Sequence, residues 1–124
     1  MGEKIFDKIE IDYDNCPIRT VLDRFGDKWS ILILLILGEN EKLRFNEINK
    51  KVGTDISQKM LTVTLRSLEA DGLVTRTVFP QVPPKVEYEI TDLGKSLVPF
   101  INELSKWANT NMETIKNSRE KFAK

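Results

Sequence analysis

The run "ILILLIL", Ile31 to Leu37, constrains this chain more than any other feature. A helix of that composition has no wet face, so it has to lie inside with other elements packed over it. It is far shorter than the ~20 apolar residues a membrane span needs. Asp27 stands ahead of it as a helix cap, and Gly38 closes it. One such helix within 124 residues implies a single domain with one core. The ordered part is expected at about residues 15–108, followed by a polar tail that frays after Asn109.

The neighbouring segments supply the cover. Cys16-Pro17 opens a first helix, in which Ile18, Val21, Leu22 and Phe25 recur at helical spacing until Gly26. Phe45, Ile48 and Val52 mark a short third helix with Gly53 behind it. Ser57 caps a fourth, and Ile56 and Leu61 are spaced as a hydrophobic staple across its start. Met60, Leu61, Thr64, Leu65 and Leu68 gather on one face of that helix. The period then changes. "LVTRTVF" and "VEYEIT" alternate like strands, with the proline-stiffened "PQVPPK" between them, which predicts a hairpin. Thr91 caps a last long helix with Leu97, Ile101, Leu104 and Ala108 on one stripe and Phe100 and Trp107 beside it. Pro99 inside it is expected to bend it.

The fold class is therefore mainly α with a small β-hairpin. Two short helices joined by the tight "GTDI" turn, followed at once by the hairpin, make a winged helix-turn-helix.

The second helix of that pair has an unusual outer face. A solvated helix ordinarily mixes both signs of charge, yet Gln58, Lys59, Thr62, Val63 and Arg66 include no acid. Glu69 and Asp71 come only at the far end. Amide, hydroxyl and guanidinium groups match the donors and acceptors of base edges, and a small methyl meets that of thymine. An acid at that position would repel the phosphates. Charge supports this locally. The whole chain balances 19 basic against 19 acidic residues, but Arg44 to Lys85 holds seven against four. Lys50, Lys51, Arg76 and Lys85 are further candidates for phosphate contact, with Lys85 at the tip of the wing. Arg76 has an alternative, an ion pair across the hairpin with Glu87 or Glu89.

Catalytic readings find little to stand on. There is no histidine, the commonest general base and metal ligand. The single cysteine has no neighbouring base, and it excludes an internal disulfide while fitting a reducing cytoplasm. "DLGKS" ends like a phosphate-binding loop but lacks its first glycine. Glu87 and Glu89 share a strand face and read as a solvated one. No enzyme, cofactor or metal is expected, and no signal, lipidation or membrane segment is recognisable.

The residues also carry a resemblance. "CPIRTVLDRFGDKWSILIL", "RFNEI", "ISQKMLTVTLRSLEADGLVTR" and "VEYEITDLGKSLVPFINELSKW" are similar to the HxlR family of bacterial winged-helix transcriptional regulators, relatives of the MarR group, over Asn15 to Trp107. The resemblance implies a homodimer, paired through N- and C-terminal helices, on a roughly palindromic operator in double-stranded DNA. The apolar surface of the last helix independently favours a dimer. In some members a cysteine near the N-terminus senses oxidants or electrophiles. Here that is Cys16, at a helix N-terminus that favours a thiolate, with Arg19 one turn on and Asp12 and Asp14 opposing. A small, buried, inert thiol is the plainer reading of Cys16. A small-molecule effector is compatible with the same architecture. The alternative from another class is a winged helix that docks a protein instead of DNA.

Overall fold

The computed structural model describes residues 17–123. Helices α1 (Pro17–Phe25) and α2 (Lys28–Gly38) lead into a two-residue strand β1 (Leu43–Arg44). Helices α3 (Phe45–Val52) and α4 (Gln58–Ala70), strands β2 (Val74–Phe79) and β3 (Lys85–Ile90), and helix α5 (Asp92–Ala123) complete the chain. The expected architecture is present: a winged helix-turn-helix, mainly helical, with α3 and α4 as the pair and β2–β3 as the wing.

Helix α2 is the centre. The Asp27 carboxylate accepts from the Trp29 and Ser30 amides at 3.0 and 2.8 Å, satisfying donors that the first turn leaves orphaned. Ile33, Leu34 and Leu37 are wholly buried, against Ile48 of α3, Leu61, Leu65 and Leu68 of α4, Val74 and Ile90 of the sheet, and Ile101 of α5. Gly38, the last residue of α2, lies so close to α5 that a Cβ there would sit 3.2 Å from a Val98 methyl.

The sheet has three antiparallel strands in the order β1-β3-β2. Strand β1 is an addition to the expected hairpin. It pairs Leu43 with Tyr88 and Arg44 with Glu87, and so ties the start of α3 to the wing. The register of β2 on β3 sets Val74 opposite Ile90, Arg76 opposite Tyr88 and Val78 opposite Val86. Opposed side chains share a face. Leu43, Val74, Tyr88 and Ile90, all buried, therefore mark the core face, and Thr75, Thr77, Phe79, Lys85, Glu87 and Glu89 form the outer one.

The Thr91 hydroxyl ties the turn after α4 to the start of α5. Thr91 Oγ1 accepts from the Gly94 amide at 3.1 Å, as an N-cap, and donates to the Gly72 carbonyl at 2.7 Å. Gly72 takes a positive φ of 78°, which a side chain disfavours. Gly94 is required for closeness instead: a Cβ would lie 2.5 Å from the Leu73 carbonyl oxygen and 2.6 Å from Ile90 Cγ1.

Two expectations change. Met60 is 45 % exposed rather than in the core stripe, because it sits on the flank of α4 that faces the start of α2. Helix α5 does not end in a frayed tail: it runs through Pro99 and past Asn109 to Ala123. Half of the α5 residues after Asn109 are good helix formers, among them Met112, Glu113, Lys116, Arg119 and Glu120, and the Asn111 side chain donates to the Trp107 carbonyl at 2.8 Å.

Candidate nucleic-acid interface

Ser57 fixes where the second helix of the pair begins. Its side chain accepts from the Met60 amide at 3.0 Å, and Ile56 and Leu61 on either side of the cap are both buried. Gly53, at φ 104°, closes α3 and lets the chain turn. Leu61, Thr64, Leu65 and Leu68 then hold α4 to the core, so its first two turns stand clear. Gln58, Lys59, Thr62, Val63 and Arg66 are all exposed, as their spacing predicts. Among the described residues neither Lys59 nor Arg66 has an ion-pair partner. Glu69 and Asp71 lie half-buried at the opposite end of the helix.

Thr62 is not simply a free hydroxyl. Its Oγ1 donates to the Gln58 carbonyl one turn back, at 2.9 Å. Beside Val63, a shallow hollow opens between α4 and the start of α2, with Trp29 and Met60 as its large apolar walls. Lys28 stands over the Trp29 ring, 4.8 Å from the centroid.

The basic residues around α4 divide. Lys50 and Lys51, in the last turn of α3, are exposed. Arg76 is exposed too, and the register corrects its alternative role. It lies opposite Tyr88 on the core-side face of the sheet, whereas Glu87 and Glu89 lie on the other, so no ion pair across the hairpin joins them.

Lys85 departs from expectation in a different way. It is the first residue of β3, opposite Phe79, and the tip of the wing is residues 80–84, which carry no cation. Its ammonium lies 3.3 Å from Glu87 Oε2 and 5.0 Å from the centroid of the Phe79 ring. The strand alternation that puts Lys85, Glu87 and Phe79 on one face brings these three groups together.

Sequence reasoning passed over Arg44. It is exposed at the entrance of α3, where its amide donates to Glu47 Oε1 at 2.8 Å, and it shares a polar cleft with Asn46 and Lys85. Its signal is a strand of two residues, below the length at which alternation is visible.

Away from this surface, α1 exposes Ile18, Val21 and Leu22, and α5 exposes Phe100, Leu104, Trp107 and Met112. Cys16 lies outside the described residues. Among the described residues no cluster of three potential metal ligands exists, and no helix is long and apolar enough to cross a membrane.

Comparison with known proteins agrees with this geometry. The model of a family described as HxlR-like helix-turn-helix matches residues 24–116. A helix-turn-helix-type transcriptional regulator from Methanothermobacter thermautotrophicus is 43% identical over 106 residues, covering 86% of this chain and 79% of its own. YybR, a regulator of the same type from Bacillus subtilis, is 40% identical over 106 residues, covering 86% and 83%. Among solved structures, the redox regulator HypR in its oxidised form is 43% identical and superposes with a TM-score of 0.69, covering 77% of this chain and 97% of that one. The reduced form of the regulator YodB from Bacillus subtilis is 36% identical, with a TM-score of 0.66 over 76% and 91%.

Proposed function

The chain belongs to the HxlR-like helix-turn-helix family of transcriptional regulators, and from that premise we propose that it is a cytoplasmic, sequence-specific binder of double-stranded DNA. Helix α4 enters the major groove and reads base edges with Gln58, Lys59, Thr62, Val63 and Arg66. Arg76, Lys50 and Lys51 hold the flanking backbone, and Lys85, paired with Glu87, is a phosphate contact held in reserve. One observation carries this reading: the exposed start of α4 is free of acids, and among the described residues neither of its cations is paired. The test is enrichment of fragments from the source genome on purified protein, followed by a salt titration on an enriched duplex and on random duplex. A regulator binds the enriched sequence preferentially, and log affinity falls linearly with log salt on both. Weak binding with no slope on either duplex overturns the reading in favour of a protein-docking winged helix.

The protein works as a homodimer. Phe100, Leu104 and Trp107 of α5 are each more than half exposed, as are Ile18 and Leu22 of α1, a larger apolar surface than a small monomer ordinarily leaves to water. Two-fold pairing sets the two copies of α4 one helical turn of DNA apart, or a multiple, so the operator is an inverted repeat. A redox or electrophile response through Cys16 is part of the same proposal. It is supported by the likeness to the redox regulator HypR, solved oxidised and reduced, and by the position of Cys16 before Pro17. Mild oxidant then changes operator affinity in wild type and not in Cys16→Ser. An equal response in both assigns the signal elsewhere.

A further inference from the structure

The hydrogen bond of Thr62 restricts what α4 can read. A carbonyl oxygen has no hydrogen to give, so in the 2.9 Å contact with the Gln58 carbonyl the Thr62 hydroxyl is the donor, and its only hydrogen is spent there. What Thr62 offers outward is a lone pair and a methyl group. Val63, next in the chain and 54 % exposed, adds only methyls, and it borders the hollow walled by Trp29 and Met60. The middle of the reading face is thus an acceptor beside an apolar patch, between the donors Lys59 and Arg66.

We infer that this part of α4 selects a T·A base pair, with Thr62 accepting from the adenine 6-amino group and Val63 meeting the thymine 5-methyl group. The inference rests on the DNA-reading function proposed above. In the major groove, T·A alone presents both an amino donor and a methyl group; C·G presents the amino group without the methyl. Guanine O6 and N7 are acceptors. They repel the Thr62 lone pair and belong to Lys59 or Arg66. The mainly apolar hollow beside Val63 gives the methyl an apolar wall, and Asp27 at its margin is already engaged by the α2 amides.

Two modified bases test the two contacts separately, on the duplex that the protein selects from a random-sequence pool. Uracil in place of thymine removes only the methyl group. 2-Aminopurine in place of adenine moves the amino group into the minor groove and still pairs with thymine. At one pair in one half-site, uracil weakens binding by about fourfold, the worth of one buried methyl. 2-Aminopurine at the same pair weakens it by about two- to tenfold, the worth of one neutral hydrogen bond. Val63→Ala loses the sensitivity to uracil and keeps that to 2-aminopurine. Thr62→Val, which preserves shape and removes the oxygen, does the reverse. Both side chains are exposed, and a cooperative thermal unfolding transition like that of the wild type verifies that the variants are folded. Selective, salt-dependent binding that ignores both modified bases overturns this inference and leaves the DNA-reading function standing. If no sequence is enriched from the pool, the function itself falls.

Discussion

Helix α4 and the wing are both exposed and both carry cations, yet they hold their surfaces in opposite ways. Helix α4 is stabilised from behind. A cap at Ser57 and buried Leu61, Leu65 and Leu68 fix it, so Lys59 and Arg66 have no structural duty. The outer part of the wing has no core beneath it. Val78 is half exposed and Val82 almost wholly so, and there the hairpin is held by its own surface, with Lys85 bound to Glu87 and stacked over Phe79. Separating stability from recognition leaves α4 free to specialise. In the wing the same side chain serves both ends, and a DNA contact by Lys85 has to displace an existing one. Specificity should therefore reside in α4 and general affinity around it.

With the proposed two copies of each region per operator, the largest expected effect comes from breaking the pair. Leu104→Asp puts a charge into the apolar surface of α5 at a position 59 % exposed, so the fold survives. Loss of the second reading helix costs the effective-concentration gain of a linked site, about a hundredfold or more. Sedimentation should show a monomer, and binding to a single half-site should change little. A variant that remains a dimer with full affinity would move the interface away from this stretch of α5.

Next come the reading residues. Arg66→Ala and Thr62→Ala should each cost roughly 1–3 kcal/mol on the selected operator and much less on random duplex. Competition binding on the two duplexes measures the difference. Equal losses on both would make Arg66 a phosphate contact and erase the distinction between α4 and the wing.

How legible each region is follows from the same difference. Helix α4 is determined by local signals, a cap three residues before a satisfied amide and an apolar stripe at helical spacing, and both are written along one segment. Asp27 and Thr91 are read in the same way. The wing depends on partners distant in sequence. Strand β1 is extended only because Leu43 and Arg44 pair with Tyr88 and Glu87, and nothing in two residues announces that. The position of Arg76 opposite Tyr88 is likewise a property of register, which alternation alone leaves free to slip. Met60 looks like a core residue by hydrophobicity, yet the start of α2 leaves its flank of α4 open.

Arg76 gives the third and smaller effect. It is exposed on the core-side face of the sheet, with the carboxylates of Glu87 and Glu89 on the other side. Arg76→Ala should weaken binding to all duplexes alike and lower the log–log salt slope by about one unit, the mark of one lost phosphate contact. An unchanged slope would leave the wing without a direct contact from this strand.

The smallest effect tests the wing's double use of Lys85. Glu87→Gln keeps the shape of the side chain and removes the charge that holds the ammonium at 3.3 Å. The stability lost is small, on the order of 0.2–1 kcal/mol for a surface pair, and the Phe79 ring still steadies the lysine stem. The freed ammonium, with one less carboxylate nearby, is then available to a phosphate. Affinity for every duplex should rise a few-fold, and the salt slope should steepen by up to about one unit. Lys85→Ala in the wild-type background should do little, because the lysine is already occupied. The pairing of results is what discriminates: a gain from Glu87→Gln that disappears in the Glu87→Gln, Lys85→Ala double variant identifies Lys85 as a contact held in reserve by its own strand. If Glu87→Gln leaves affinity and slope unchanged, the outer face of the wing lies off the DNA and Lys85 is a structural residue. The contrast between a helix that reads and a wing that mainly holds itself together would then be complete.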